Sequence, residues 1–188
     1  MKAFLLIASL MFLTVGAVQA QIESTGSNQP AFLSDQVLLA LTTSAAHRGD
    51  AKSQLILGDA YMLGNGGLGK STSDAMAWYL KAANQGYTPA QRRLGYWYSK
   101  GEGVERDDAI ALDWYLRAAE SGDAQAQWTV GLMYGVKGDK REAYFWYLLA
   151  ISKGNKEAIR ARDYTEAQLS KQERKAARAR VLRWHSTR

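Results

Sequence analysis

Leu94-Gly95-x-x-Tyr98 is one of three copies of a short motif, and this repetition is the strongest indication of the architecture of the chain. The motif occurs first as Leu57-Gly58-x-x-Tyr61 and last as Val130-Gly131-x-x-Tyr134, so that successive glycines lie 37 and 36 residues apart. Self-similarity at a fixed period of this length is typical of proteins that stack one supersecondary unit on the next. Such arrays expose long surfaces, which favours a binding function over a catalytic one.

Each copy predicts two helices. In the middle copy, small and apolar residues recur at helical spacing from Gly86 to Tyr98, and a second helical pattern follows around Trp114-Tyr115. The glycine inside each first helix costs about 1 kcal/mol relative to alanine, so it needs a structural reason. We expect these glycines to be flat surfaces against which the alanine pair of a partner helix rests, such as Ala118-Ala119.

The middle copy, from Ala90 to Gly122, closely resembles the Sel1-like repeat, and the first and third copies match it less fully. Its matching positions are Leu94-Gly95-x-x-Tyr98, then Gly101-x-Gly103-Val104, then Trp114-Tyr115-x-x-Ala118-Ala119. The resemblance implies an all-α fold, namely an α/α solenoid of three Sel1-like, tetratricopeptide-like helical hairpins with an N-terminal half-repeat and a C-terminal capping helix. We therefore assign residues 34–155 to the repeat array and residues 156–188 to C-terminal capping helices with a basic tail.

The first twenty residues have the pattern of a secretory signal peptide. Lys2 precedes an apolar run, and Val18-Gln19-Ala20 is a small-residue cleavage pattern. The run is short for a membrane span, although an uncleaved anchor remains the alternative. We expect cleavage after Ala20, a flexible leader at 21–33, a periplasmic or secreted protein, and no transmembrane segment after cleavage.

No pattern in the sequence predicts catalysis, a metal site or a cofactor. The stretch Gly64-Asn65-Gly66-Gly67-Leu68-Gly69-Lys70-Ser71 fits the phosphate-loop spacing G-x-x-x-x-G-K-[ST]. That chemistry needs a strand before the loop, whereas the repeat register predicts a helix there, so we interpret the stretch as an inter-helix turn. The sequence contains neither G-x-S-x-G nor H-E-x-x-H, which argues against an enzyme.

The Sel1-like resemblance implies an adaptor or scaffold that mediates protein–protein interaction. For an exported bacterial member it implies a protein or peptide partner in the envelope, in regulation or assembly. The alternative is a cell-wall or β-lactam ligand-binding protein or hydrolase of the Sel1-like type. The chain contains no cysteine, unlike the disulfide-rich members associated with β-lactams.

The resemblance to tetratricopeptide hairpins implies that the first helix of each copy lines a concave face. Large apolar side chains such as Tyr96 and Trp128 at solvent-facing positions are typical of a peptide groove. The alternative is that the terminal caps bury part of this set. The candidate protein-binding residues are Leu55, Asp59, Met62, Arg92, Tyr96, Ser99, Trp128 and Leu132.

Positive charge is concentrated at the C-terminal end. Residues 156–188 hold ten Lys or Arg and four acids. Three interpretations stay open: a solvated cap, a docking surface for an acidic partner or anionic headgroups, and a nucleic-acid site. We expect no nucleic-acid partner, because the aromatic residues occupy packing positions and are not interleaved with the charges. The candidate residues of this basic tail are Arg174, Lys175, Arg178 and Arg183.

Overall fold

The computed structural model describes residues 35–186, and this part of the chain contains nine α-helices and no strand. The expected signal peptide (1–20) and leader (21–33) lie outside the described residues. Residues from Leu39 onward form one unit, which is described here by itself. The helices are α1 Asp35–His47, α2 Ala51–Leu63, α3 Thr72–Asn84, α4 Thr88–Lys100, α5 Asp108–Glu120, α6 Ala124–Val136, α7 Lys140–Ser152, α8 Glu157–Glu166 and α9 Lys171–Ser186.

Three helical hairpins make up the array, in the pairs α2 with α3, α4 with α5, and α6 with α7. Each hairpin packs on the next through the contacts of α3 with α4 and of α5 with α6. The predicted all-α solenoid of three helical hairpins is confirmed. We call α2, α4 and α6 the first helices and α3, α5 and α7 the second helices.

Most helices begin where a side-chain oxygen replaces a missing backbone partner. The carboxylates of Asp50, Asp107, Asp123 and Asp139 each accept a hydrogen bond from a backbone N–H two or three residues later. Such caps stabilise a helix start by about 1 kcal/mol, because the first N–H groups of a helix have no partner within it. These aspartates therefore fix the points at which the chain turns from one helix into the next.

The glycine inside each first helix lies against a tyrosine ring, and our expectation of an alanine pair there is wrong. A Cβ placed on Gly95 would lie 2.8 Å from the Tyr115 ring, and one on Gly131 would lie 2.5 Å from the Tyr147 ring. The backbone of the first helix therefore approaches the ring of its own second helix too closely for any side chain. The tyrosine of the Trp-Tyr pair, not the later alanine pair, occupies the space that each glycine leaves.

The alanine pairs form the contact between repeats instead. Ala82 and Ala83 are buried in one cluster with Ala90 and Leu94 of the following first helix. Small side chains at this position let the second helix of one repeat lie close to the first helix of the next. Glycine thus sets the spacing within a hairpin, and alanine sets the spacing between hairpins.

A buried glutamine also connects each repeat to the one before it. Its side-chain amide nitrogen donates a hydrogen bond to the carbonyl of the last small residue in the preceding helix, so this buried donor is satisfied. None of our sequence patterns marked this residue. The three bonds run from Gln54 to Ala46 at 3.0 Å, from Gln91 to Ala83 at 3.3 Å and from Gln127 to Ala119 at 3.0 Å.

Helix α9 closes the array by packing on α7. The ring of Trp184 meets those of Phe145 and Trp146 edge to face, with centroids 5.7 and 5.6 Å apart. Arg180 of the same helix lies over the Phe145 ring, 3.8 Å from its centroid, and forms an ion pair with Glu142. The aromatic surface of α7 is therefore covered by the capping helix.

We predict that Gly95→Ala destabilises the protein by about 1–3 kcal/mol, even though alanine is the better helix former. The added methyl group would overlap the Tyr115 ring, and overpacking of this kind outweighs the gain in helix propensity. Urea unfolding followed by circular dichroism measures the change. Gly135→Ala is the matched control, since a Cβ there would lie 3.4 Å from its nearest neighbour. Equal stability of the two variants would contradict the close approach.

Candidate functional site

A cavity of about 550 Å³ lies on the face formed by the first helices. Leu55 of α2, Arg92 and Tyr96 of α4, and Trp128 of α6 line it. Each of these side chains comes from a helix whose start is fixed by a cap or a proline and whose other face is buried. The cavity wall is therefore built from rigid elements and not from loops.

The structure brings together four of the eight residues that the sequence analysis proposed for this face, namely Leu55, Arg92, Tyr96 and Trp128. Tyr96 is 40% exposed, whereas Trp128 is half-buried and packs toward α7 and α8. Leu132 lies one helical turn beyond Trp128 and is 36% exposed.

Met62 does not belong to this face, and its assignment is corrected. It is only 4% exposed and belongs to the core cluster that contains Met76. Val104, in the loop after α4, packs against the same cluster. Ser99 is half-buried, and its hydroxyl donates to the carbonyl of Tyr96 at 2.8 Å.

Two arginines at the cavity bind acids from neighbouring repeats. The Nε of Arg92 lies 3.0 Å from a carboxylate oxygen of Asp123, which is also the residue that caps α6. An Nη of Arg93 lies 3.1 Å from a carboxylate oxygen of Asp59. Both pairs are partly exposed, so each is worth at most about 1 kcal/mol to stability. Their main effect is to hold the guanidinium groups in place across two repeat junctions.

Asp59 also accepts a hydrogen bond of 2.7 Å from the hydroxyl of Tyr79. Burial of the ring raises the pKa of Tyr79 well above its usual range, and the hydrogen bond to Asp59 is the second largest cause. The nearby guanidinium of Arg93 opposes this shift. Burial likewise raises the pKa of Tyr115, whose ring reaches the cavity wall. Tyr79 therefore keeps its proton and donates it in the hydrogen bond to Asp59.

The arrangement supplies apolar contact and hydrogen-bond donors. Within residues 35–186 no group of three or more His, Asp or Glu side chains could hold a metal ion. The guanidinium groups are each neutralised by one carboxylate, and aromatic rings lie beside them. This combination is typical of the central residues of protein interfaces, in which tyrosine, tryptophan and arginine are enriched.

The phosphate-loop spacing falls on a turn between two helices. Gly64 ends α2 in the left-handed conformation, with φ of 73°. Ser71 caps the start of α3, because its hydroxyl accepts a hydrogen bond from the N–H of Asp74. Because a helix precedes the loop and the serine is occupied as a cap, the local geometry is that of the expected inter-helix turn.

The four candidate residues of the basic tail have different surroundings. Arg178 donates to a carboxylate oxygen of Glu166 at 2.7 Å and to the hydroxyl of Tyr144 at 3.3 Å, and Arg174 donates to the carbonyl of Glu166 at 3.4 Å. These contacts attach α9 to α7 and α8. Lys175 is exposed, and Arg183 lines a second cavity, of about 690 Å³, between α7 and α9.

Among the described helices, none is both long and apolar enough to span a membrane.

Sequence reasoning missed Arg93 and Tyr115 in the cavity wall. One signal could have found the arginine pairs. Arg93 lies 34 residues after Asp59, and Asp123 lies 31 residues after Arg92. Opposite charges separated by about one repeat period are expected to meet across a junction, because the period places equivalent positions side by side.

Comparison with known proteins finds one matching family. The family model described as Sel1 repeat matches residues 51–87, 88–123 and 124–155, which together make up more than half of the chain. Each matched segment begins at or next to the first residue of a first helix and ends just after a second helix.

Two solved structures share this architecture. A Sel1 repeat protein from Oxalobacter formigenes is 35% identical, with a TM-score of 0.61, over 66% of this chain and 96% of that chain. The protective antigen c5321 of uropathogenic Escherichia coli, described as displaying an SLR fold, is 46% identical, with a TM-score of 0.59, over 62% of this chain and 26% of that chain.

Among curated proteins, the chain is similar to the chitin synthase regulator SKT5 of Saccharomyces cerevisiae, with 34% identity over 57% of this chain. It is also similar to chitin synthase regulatory factor 4 of Schizosaccharomyces pombe, with 29% identity over 69% of this chain. The aligned parts span only 15% and 20% of those two proteins. The similarity therefore concerns the repeats and not the whole relatives.

We predict that Tyr79→Phe makes the protein less sensitive to alkaline pH. The unfolded tyrosine ionises near pH 10, whereas the folded one keeps its proton because its pKa is raised. The stabilisation linked to this proton is fully present below about pH 10 and is lost as the pH rises toward the folded pKa. Removing the hydroxyl should reduce the slope of unfolding free energy against pH by up to about 1.4 kcal/mol per pH unit.

Urea unfolding at several pH values between about 9 and 11 measures this slope. Tyr147→Phe is the comparison variant, since burial alone raises the pKa of Tyr147. It should also reduce the slope. Slopes parallel to that of the wild type in both variants would show that neither buried tyrosine holds its proton as described.

Proposed function

Because the chain belongs to the Sel1 repeat family, we propose that it is a non-catalytic scaffold that binds a segment of another protein on its first helices. The observation that carries this proposal is the cavity beside Tyr96. An aromatic ring that is 40% exposed lies there with Arg92 and Trp128, on helices fixed by their packing. Aromatic residues beside arginine are not required on a helix face that contacts only water, whereas they are enriched at the centres of protein interfaces.

The geometry favours a protein segment over a small metabolite. The cavity opens along a face that several helices share, so a ligand chain can continue past it from one repeat to the next. Repeat arrays use such faces for extended partners. The names of the two fungal relatives describe regulation of chitin synthase, which supports a role exerted through another protein.

Binding requires little rearrangement of the receptor. Arg92 is already held by Asp123, and Arg93 by Asp59, across the two junctions that border the cavity. Preorganised side chains lose less conformational entropy when a partner binds, which favours affinity. Arg92 donates through Nε to Asp123, so its terminal amino groups can donate to carbonyl or carboxylate oxygens of a partner.

We also propose that the protein acts outside the cytoplasm, in the periplasm or after secretion. The support is the sequence pattern of residues 1–20, with Lys2, the apolar run and the small residues before Gln21. A partner in the bacterial envelope follows from that location.

We predict that Tyr96→Ala weakens peptide binding at least about tenfold, since an exposed tyrosine at the centre of an interface contributes about 2 kcal/mol. Dodecapeptides are selected from a random phage-displayed library on the full-length protein, and their Kd values are measured by fluorescence anisotropy. Ile110→Ala is the matched control, because Ile110 has the same 40% exposure but lies on the second helix α5. Failure to select any peptide, or equal loss in both variants, would overturn the proposed function.

We predict that the protein isolated from the organism that encodes it begins at Gln21. Intact-mass spectrometry of a C-terminally tagged chain distinguishes this product from the full-length one. Ala20→Tyr should retain the first twenty residues, because a bulky side chain blocks the small-residue cleavage site. A wild-type mass that includes residues 1–20 would contradict export by cleavage.

A further inference from the structure

Helix α8 has the register of a first helix, although it lacks the Leu-Gly-Tyr motif. The side chain of Asn155 accepts a hydrogen bond of 2.9 Å from the N–H of Ala158. Asp123 makes the same contact with the N–H of Ala126, at 2.7 Å. Ala158 and Ala126 are both fully buried. Asn155, just before α8, is therefore equivalent to Asp123, just before α6.

This register places two residues of α8 in line with the candidate site. The positions five and nine residues after the cap are the ones that face the cavity or border it. α8 supplies Arg160 and Tyr164 at these positions, which the sequence analysis did not include. The row at position five is Leu55, Arg92, Trp128 and Arg160, and the row at position nine is Asp59, Tyr96, Leu132 and Tyr164.

The row at position nine is apolar and exposed on α4, α6 and α8. Tyr96 is 40% exposed, Leu132 36% and Tyr164 75%. Single exposed apolar residues need no explanation, but three at equivalent positions of adjacent helices form a continuous strip. Adjacency of α6 and α8 follows from their packing contact and from the 3.3 Å hydrogen bond between Asn155 and Gln125.

Positive charge without a partner lies beside this strip. Arg160 is exposed and forms no ion pair within the described residues, and Glu157, one turn earlier, is not within ion-pairing distance of it. The later acids of α8 are already occupied. Asp163 contacts Arg162, and Glu166 contacts Arg178. The charge of Arg160 is therefore available to an acidic group of a partner.

We propose that the binding surface extends beyond the three repeats onto α8, and that its partner is an extended protein segment carrying Asp or Glu. The apolar side chains of the segment lie against Tyr96, Leu132 and Tyr164, and an acidic side chain binds Arg160. This inference rests on the proposed function of the first helices.

The test uses the selected peptides and their copies in which every Asp and Glu is replaced by Asn and Gln. Arg160→Gln should weaken binding of the acidic peptide about tenfold and leave binding of its amide copy unchanged. Tyr164→Ala should weaken both. Arg141→Gln is the matched control, since Arg141 is an exposed arginine on the second helix α7. Urea unfolding of each variant confirms that the fold is retained.

The outcomes separate this inference from the proposed function. Binding that depends on Tyr96 but is the same in Arg160→Gln and Arg141→Gln would overturn the extension onto α8 and leave the proposed function standing. Equal affinity of the acidic peptide and its amide copy for the wild type would overturn the acidic character of the partner. Peptides that bind without any dependence on Tyr96 would overturn both proposals.

Discussion

The contact of a tyrosine ring with a helical glycine is the constraint on which the array depends. It occurs in each of the three hairpins, between Gly58 and Tyr79, Gly95 and Tyr115, and Gly131 and Tyr147. Glycine costs helix propensity at these positions, and a flat ring packed on bare backbone offsets that cost. Because the same contact repeats at a fixed period, each first helix takes the same position relative to its second helix. Side chains at equivalent positions then point to a common face.

One of these tyrosines, Tyr79, also connects the core with this face. The ring of Tyr79 packs on Gly58, and its hydroxyl binds Asp59, the next residue of α2. Asp59 in turn holds Arg93 of the following repeat. A packing contact, a hydrogen bond and an ion pair thus run in series from the interior of one hairpin to the surface of the next. The cavity wall is fixed by the contacts that build the fold.

The array ends where this constraint is lost. Asp163 stands in α8 at the position that Gly131 has in α6, so no ring can lie flat on the helix there. Helix α9 packs on α7 instead, where Trp184 completes an aromatic cluster with Phe145 and Trp146. Helix α8 keeps the cap and the buried alanine of a first helix, which explains how it can continue the face without continuing the repeat.

The sequence predicts the helices well because their signals are local. The motif from Leu94 to Tyr98 and its copies mark the first helices. Aspartate caps mark the starts of α2 and α6, and Pro89 marks the start of α4. The predicted packing partner of each glycine was wrong, since periodicity shows that a position holds a small residue but not which side chain fills the space beside it. Met62 was misplaced for a related reason: the core cluster that buries it draws residues from several helices, which the period of one helix does not reveal. The buried glutamines and Arg93 act across repeat junctions, which helical periodicity alone does not describe.

A crystal structure of the protein with one of the selected peptides bound tests the proposed binding face most directly. The peptide should lie across the first helices, with side chains against Tyr96 and Trp128, while the tyrosine–glycine contacts stay unchanged. A peptide bound to the second helices, or a complex in which the first helices have moved apart at Gly95, would contradict this prediction.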